Sequence, residues 1–312
     1  MLPVERTIRS RGLFLRRREL LALGYTDADL KSALGLKRIF RVRHGWYSVP
    51  DAPEPGIRAV RVGGRLTGLS ALQSYGLIVP NPATLHVAVA PTASRLRNPA
   101  DRRVRLSRFA GVTVHWDYRG IARSPWRVTV AEALLAVLRT EGRDVAVAAC
   151  SVALTREAIS RSALDRVFDA APARARRWRN LVSFQDEAHG ETFARLWMAD
   201  AGIACQQQVE VDGVGRLDFG LGPMLFLEID GSQHGEPENW QRDHERDLAI
   251  AARGGRTIRV TYPQLLGSWP AVLESIERAI ADAGALAARR LRHPYRPRAR
   301  RKRRSSAAKG PP

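Results

Sequence analysis

The chain of 312 residues is poor in cysteine and has no long apolar run. Its two cysteines, Cys150 and Cys205, are far apart, and neither belongs to a C-x-x-C or His-rich motif. This scarcity argues against a structural zinc site and against a disulfide framework. A chain with so few cysteines is typical of the reducing cytoplasm, and we expect the protein to be located there.

No segment is typical of a secreted or membrane protein. The first residues, MLPVERTIRSRG, lack the apolar stretch of roughly 7–15 residues that a signal peptide places behind its charges. The most apolar segment, VTVAEALLAVL at 128–138, contains Glu132 and is much shorter than the ~20 residues of a membrane span. We therefore expect no signal peptide and no membrane contact. The chain also lacks the G-x-S-x-G, G-x-x-x-x-G-K and G-x-G-x-x-G motifs, so serine-hydrolase and nucleotide-binding sites of those types are not indicated.

Acids are scarce at both ends of the chain, which carries a formal net charge of +20. Residues 1–50 hold eleven Lys or Arg and four Asp or Glu, whereas residues 285–312 hold eleven bases and no acid. The part between them is nearly neutral. Such basic ends attract polyanions, and their binding releases the counterions of a nucleic acid. A high arginine content that serves only solubility is the alternative.

The N-terminal pattern predicts two short helices followed by a basic hairpin. ELLALG at 19–24 is the first helix, and Thr26 can cap the second, DADLKSALG. LKRIFRVRHGWYSV then alternates between apolar and basic residues, with His44-Gly45 as the turn. This order favours a winged helix over residues 1–52. Its second helix would enter the major groove and its hairpin would contact phosphates, through the bases Lys31, Lys37, Arg38, Arg41 and Arg43. A small helical domain for protein contact is the alternative.

The segments ELLALGYTDADLKSAL and RIFRVRHGWYSV also resemble the N-terminal domain of AbiEi-type antitoxins. That resemblance implies a DNA-binding antitoxin with a cognate toxin as partner. Residues 53–175 read as a mixed α/β middle domain, similar in arrangement to the second part of such proteins, with no catalytic constellation. Residues 284–312 combine Pro and Arg without apolar periodicity, so we predict a disordered basic tail.

Residues 176–283 change pattern and predict the order α-β-β-β-α-β-α. The helix covers about 187–201, RLDFGLG and MLFLEIDG are strands, and WQRDHERDLAIAARGG is the next helix. Four motifs, Glu191 with Arg195, Arg216-Leu217-Asp218-Phe219, Leu227-Glu228-Ile229-Asp230-Gly231 with His234, and Arg246-Asp247-Leu248, resemble the very-short-patch-repair-like branch of the PD-(D/E)XK nucleases. The resemblance implies a restriction-endonuclease-like core, and hence an α+β or α/β chain of several domains.

The chemistry of these residues favours hydrolysis of a phosphodiester with a divalent cation. Asp218 and Glu228 would lie on neighbouring strands and hold Mg²⁺ or Mn²⁺, because hard cations prefer carboxylate ligands. Asp230 shares a face with Glu228 and stands where the wider superfamily has a Lys. The role of that Lys would pass to His234 or to Arg246. His234 would act as the general base or donate a hydrogen bond to the phosphate. Glu191 would orient His234 or hold a metal-bound water, and Arg242 would stabilise the anionic phosphorus centre together with Arg246.

Each of these residues also has a structural alternative. The acids can be strand-end residues in water, His234 a loop histidine, and the bases of the second helix ordinary i, i+4 pairs. Two functions follow: a metal-dependent DNA endonuclease or nicking enzyme targeted by the winged helix, or a non-catalytic DNA-binding regulator of the antitoxin type. DNA is the partner in both, and a homodimer and a cognate toxin stay open.

Overall fold

The computed structural model describes residues 2–108, 110–116, 124–230 and 237–292. It is a mixed α and β chain in two compact units, residues 1–203 and 204–312. None of the helices in the described ranges combines the length and the hydrophobicity needed to cross a bilayer. The division lies after the helix that we predict to open the C-terminal domain, so the predicted boundary at residue 176 falls inside the first unit.

The first unit begins with three helices and a small sheet. Its elements are α1 (Val4–Ser10), β1 (Phe14–Arg16), α2 (Arg17–Ala22), α3 (Asp27–Gly35), β2 (Phe40–Arg43) and β3 (Trp46–Ser48). The strands are antiparallel in the order β1-β3-β2. Thr26 and Asp29 form a capping box, with Thr26 Oγ1 accepting from the Asp29 amide at 3.2 Å, which confirms the predicted cap of α3. The predicted turn at His44-Gly45 is also confirmed, and Gly45 takes a positive φ of 71° there.

A second sheet and a group of helices complete this unit. Its elements are α4 (Glu54–Val62), β4 (Arg65–Leu66), α5 (Gly68–Ser74), β5 (Leu85–Ala88), β6 (Val112–His115), α6 (Val130–Thr140), α7 (Arg143–Thr155), α8 (Arg161–Asp169), α9 (Ala173–Arg176), a 3₁₀ helix (Arg177–Leu181) and α10 (His189–Asp200). The strand order is β4-β5-β6, with β5 and β6 parallel. One hydrophobic core runs from Val4 to Leu196. The predicted N-terminal and middle domains therefore share a core and do not form separate globules.

The second unit is built on one four-stranded sheet. Its elements are β7 (Gln206–Val211), β8 (Gly215–Gly222), β9 (Leu225–Asp230), α11 (Pro237–Ala252), β10 (Arg256–Thr261), α12 (Tyr262–Gly267) and α13 (Trp269–Arg292). The order is β10-β9-β8-β7, antiparallel except for the parallel pair β9 and β10, which α11 connects. The sequence predicts the last strand over RTIRVTYPQL, but β10 ends at Thr261. The strand ends there because Pro263 lies in the first turn of α12. The helix α13 continues to Arg292, so residues 284–292 of the predicted tail are helical.

Candidate active site

Two acidic residues lie side by side on neighbouring strands of the second unit. Phe219 of β8 pairs with Leu227 of β9, and Asp218 and Glu228 are the next residues on the two strands, just beyond this last pair of the register. The two acids therefore lie close together at the end of the paired region. The apolar neighbours Leu217 and Leu227 are buried and hold both strands in this register. The structure thus brings together the two residues predicted to bind a metal.

The carboxylate of Asp218 is oriented by the backbone of the adjacent strand. Asp218 Oδ2 accepts a hydrogen bond of 2.8 Å from the Ile229 amide. The negative charge of Asp218 also raises the pKa of Glu228. Asp218 is therefore fixed in place beside Glu228, and one of its carboxylate oxygens is already the acceptor for a backbone amide of β9.

Two arginines contact the Glu228 carboxylate, which is only 8% exposed. Arg246 of α11 places Nη2 at 3.1 Å from Oε1. Arg259 of β10 places Nη2 at 2.9 Å from Oε2. Arg259 is the direct partner of Glu228 in the parallel register of β9 and β10. The acid is thus held between a helix and a strand that come after it in the chain.

Burial outweighs these ion pairs in setting the protonation of Glu228. Loss of water raises the pKa of its carboxyl above the ordinary value of 4.5, while Arg259 and then Arg246 oppose that shift. The charges of Asp218 and Asp230 add to the rise. A carboxyl group in this position gains from any further positive charge brought close to it.

The arginine of β10 is shared among several acids. Arg259 Nη2 donates to Asp247 Oδ1 at 3.3 Å, and Nη1 lies 3.7 Å from Asp230 Oδ1. Arg246 in turn donates to the Arg216 carbonyl at 2.7 Å. Asp230 thus lies close to the positive charge of Arg259. The network connects β8, β9, α11 and β10 through charged side chains.

Sequence reasoning missed Arg259, the main charged partner of Glu228. The available signal was a base between the two apolar residues Ile258 and Val260 of the strand RTIRVT. Its register with β9 could not be read from the sequence, because α11 separates the two strands. The predicted Arg246, by contrast, contacts Glu228.

The predicted helix residue Glu191 belongs to the first unit, on α10. Its Oε2 accepts from the Glu187 amide at 2.9 Å, at the start of the helix. Arg195, the second residue of that motif, pairs with the fully buried Asp186, with Nη2 at 2.6 Å from Oδ2. Thr192 donates to the same carboxylate. These contacts give Glu191 and Arg195 structural roles around the start of α10.

Two further predicted residues fall outside what the structure describes. His234 lies in the segment 231–236, which is outside the described residues. The backbone of Arg242 belongs to α11, but its side chain is outside the described part. The predicted roles of both stay predictions.

The predicted DNA-binding bases of the first unit differ in their surroundings. Lys31 and Lys37 are exposed, on α3 and just after it. Arg38 Nη1 lies 3.5 Å from Glu5 Oε1, and Arg41 Nη2 donates to the Tyr47 hydroxyl at 3.3 Å. Arg43 turns toward the protein and donates to the Arg95 carbonyl at 3.4 Å, and burial lowers its pKa. Arg43 is therefore less accessible to phosphate than the hairpin pattern suggests.

The donor set near Glu228 allows a simple test of the predicted cation. Within the described ranges, no group of three or more His, Cys, Asp or Glu side chains is arranged to hold a metal. Glu228 Oε2, however, is a buried carboxylate oxygen that lacks a well-angled hydrogen bond in those ranges, despite its ion pair with Arg259. Such an oxygen, next to the Asp218 carboxylate, suits a hard cation that keeps most of its own water.

Comparison of the chain with models of known protein families and with curated proteins gives no significant match.

Proposed function

We propose that the protein binds DNA and that its second unit hydrolyses phosphodiester bonds with a divalent cation. The observation that carries this proposal is the proximity of Asp218 and Glu228 on adjacent strands, with Arg246 and Arg259 beside Glu228. Acids that hold a cation and bases that stabilise a phosphate are the two requirements of this chemistry.

The strand order of the second unit supports the proposal. Three antiparallel strands lead through α11 to a fourth strand parallel to the third. This is the arrangement implied by the resemblance to restriction-endonuclease-like proteins. In that arrangement the acids stand on the second and third strands, as Asp218 and Glu228 do here.

Asp218 and Glu228 would hold Mg²⁺ or Mn²⁺. When bound, such an ion neutralises charge at the phosphate and favours ionisation of a water nucleophile. The chain itself supplies orientation, because the Ile229 amide fixes Asp218. Arg259 occupies the neighbourhood where the superfamily has a Lys, and with Arg246 it would stabilise the negative charge that develops on phosphorus.

The order of the first elements supports DNA as the substrate. The succession α1-β1-α2-α3-β2-β3 with the strand order β1-β3-β2 is that of a winged helix, in which the helix equivalent to α3 reads the major groove. Lys31, Lys37 and Arg41 are exposed along α3 and the hairpin. They would contact phosphates and position the chain on the duplex.

Plasmid nicking tests the catalytic part of the proposal. The wild-type chain and an Asp218→Asn variant are incubated with supercoiled plasmid, with Mg²⁺ or Mn²⁺ and with EDTA. Asn keeps an acceptor for the Ile229 amide but loses the charge needed for the cation. Asp212→Asn, at the exposed turn between β7 and β8, removes a matched charge from the same unit. We expect metal-dependent nicking by the wild type and by Asp212→Asn, and none by Asp218→Asn. Equal nicking by all three proteins would contradict the proposal.

One observation favours a second function, a non-catalytic regulator of the antitoxin type. Arg246 and Arg259 already pair with Glu228 in the absence of a metal ion. Under this alternative the acid and the arginines form a structural network, and the chain acts only by occupying DNA. A wild-type protein that binds duplex DNA but never nicks it with either metal would establish this alternative.

A further inference from the structure

An arginine-rich loop joins β5 to β6 in the first unit, and the sequence analysis gives it no role. The arginine loop, residues 95–105, carries one acid, Asp101, and five arginines: Arg95, Arg97, Arg102, Arg103 and Arg105. Four of the five are exposed, and Arg97 is half-buried. The loop therefore carries a net charge of +4 on eleven residues, five arginines against one aspartate.

Backbone hydrogen bonds hold the arginine loop in a defined shape. The Asn98 amide donates to the Val104 carbonyl at 3.0 Å, and Leu106 donates to Leu96 at 3.1 Å. An isolated antiparallel bridge joins Arg97 to Arg105 between these two bonds. The two sides of the loop thus form a short hairpin. The backbone that carries these charges is ordered before any ligand arrives, which lowers the entropy cost of binding.

In the part of the chain that the structure describes, the hydrogen bonds of the loop arginines go to uncharged acceptors. Arg97 Nη1 donates to the Arg103 carbonyl at 3.4 Å, and Arg102 Nη1 donates to the Arg41 carbonyl at 2.9 Å. Both acceptors are uncharged. Within the described ranges, none of the five loop arginines forms an ion pair with a carboxylate. Elsewhere in the same unit arginines do pair with acids, as Arg143 does with Asp200.

The loop is continuous with the strand β2 of the predicted wing. Arg102 bonds to the backbone of β2, and Arg43 of β2 bonds to the backbone of the loop at Arg95. Burial lowers the pKa of Arg43, and the nearby charge of Arg97 lowers it further. Arg43 thus has a structural use as an anchor. The charge that the hairpin loses by turning Arg43 inward is replaced by the loop.

Two separate arginine-lined concavities open on this surface. One is lined by Arg95, Arg97 and Arg105 together with Leu96 and Leu106. The other is lined by Arg61, Arg102 and Arg103 with Ala100 and Asp101. A single small anion would need donors that converge on one point. Donors distributed over two concavities suit a ligand with several regularly spaced phosphates.

We infer that the arginine loop, with Arg41 of β2, binds the sugar-phosphate backbone of duplex DNA and extends the contact made by the predicted winged helix. The inference rests on the DNA-binding part of the proposed function and adds the surface that supplies most of the affinity. Arginine is suited to this contact because its planar guanidinium matches phosphate oxygens. The loop gives affinity and register, and no sequence reading.

The test compares two triple variants of the full chain on a duplex of about 30 base pairs, in EDTA so that no cutting occurs. The loop variant is Arg95→Gln, Arg103→Gln and Arg105→Gln, three exposed arginines whose side chains make no hydrogen bond or ion pair within the described ranges. The control variant is Arg166→Gln, Arg176→Gln and Arg177→Gln, three exposed arginines of α8, α9 and the following 3₁₀ helix. Both variants lose the same net charge.

We expect the loop variant to bind at least about tenfold more weakly at physiological salt. Its slope of log K against log[salt] should fall by up to about 3, since each lost phosphate contact contributes about 0.9. The control variant should keep the wild-type slope, and thermal unfolding should be alike in all three proteins.

Two outcomes would overturn the inference. Equal losses in the two triple variants would mean that only net charge matters, and an unchanged slope in the loop variant would mean that the loop does not touch DNA. Neither outcome bears on nicking, which is measured separately with metal. Conversely, a wild type that binds but does not nick refutes the catalytic proposal and leaves the loop surface standing.

Discussion

Arg259 of β10 and Glu228 of β9 are direct partners across two parallel strands, with Nη2 of the arginine 2.9 Å from Oε2 of the acid. The pair is mostly buried, with side-chain exposures of 26% and 10%. The positive charge beside Glu228 therefore comes from Arg259 on the neighbouring strand. Position 230, on the same strand as Glu228, is a second acid. The second unit depends on this pair whether or not it catalyses a reaction.

Removal of Arg259 should destabilise the second unit. Arg259→Leu leaves a buried carboxylate with only one arginine, which should lower the free energy of unfolding by about 2–3 kcal/mol. This cost is low for a broken buried pair because Arg259 is partly exposed. Hydrogen exchange of the β9 and β10 amides measures the effect. The double variant with Glu228→Gln should recover part of the loss, because no buried charge then remains. Strictly additive costs in that cycle would show that the pair is not coupled.

The stability of the second unit should fall with pH because of Glu228. The folded pKa of its carboxyl is raised above 4.5, so the folded unit binds this proton more tightly than the unfolded chain. Its contribution is fully present below pH 4.5 and is lost as the pH rises through the folded pKa. Glu228→Gln should remove this loss. Urea unfolding at a series of pH values from about 4 to 7 measures it, and parallel curves for the two proteins would contradict the expected shift.

The ion pair of Asp186 with Arg195 should be a major stabilising contact of the first unit. Asp186 is fully buried and Arg195 has a side-chain exposure of 16%. Arg195→Leu should cost about 3–5 kcal/mol, because a buried charge is left without its partner. Arg17→Gln, which breaks the exposed pair with Asp27, is the control and should leave the melting temperature unchanged. Similar melting temperatures for both variants would show that the buried pair contributes little.

The two cysteines should differ sharply in reactivity. Burial raises the pKa of the Cys150 thiol to about 12, whereas Cys205 is partly exposed. Only the thiolate reacts quickly with alkylating reagents. At pH 8 we therefore expect one labelled thiol in the folded chain and two after denaturation, with mass spectrometry assigning the first label to Cys205. Early labelling of Cys150 would mean that α7 opens far more readily than its packing indicates.

Local features of the fold were predictable because neighbouring residues determine them. The cap at Thr26 and the turn at Gly45 both depend on residues a few positions apart. The first helix and strand, Val4–Ser10 and Phe14–Arg16, were missed because both are short and carry many arginines. Their apolar residues, such as Ile8 and Phe14, are recognisable as core only when the sheet is known.

The features that could not be predicted depend on contacts between distant segments. Arg43 reads as a phosphate ligand in its hairpin, yet it anchors a loop about fifty residues later. Asp218 and Glu228 were found because their strands are consecutive, and Arg259 was missed because its strand follows a helix. The unit boundary after Ile203 likewise depends on the packing of α10 with the earlier helices.

The parallel arrangement of β9 and β10 has a consequence for how the second unit folds. Parallel neighbours cannot be joined by a tight turn, so the whole crossover through α11 must close before Glu228 meets Arg259. Closure of such a long connection is slow relative to hairpin formation, since its entropy is lost before the contact forms. We therefore expect the acidic pair of β8 and β9 to assemble earlier in folding than the contact of Glu228 with Arg259 of β10.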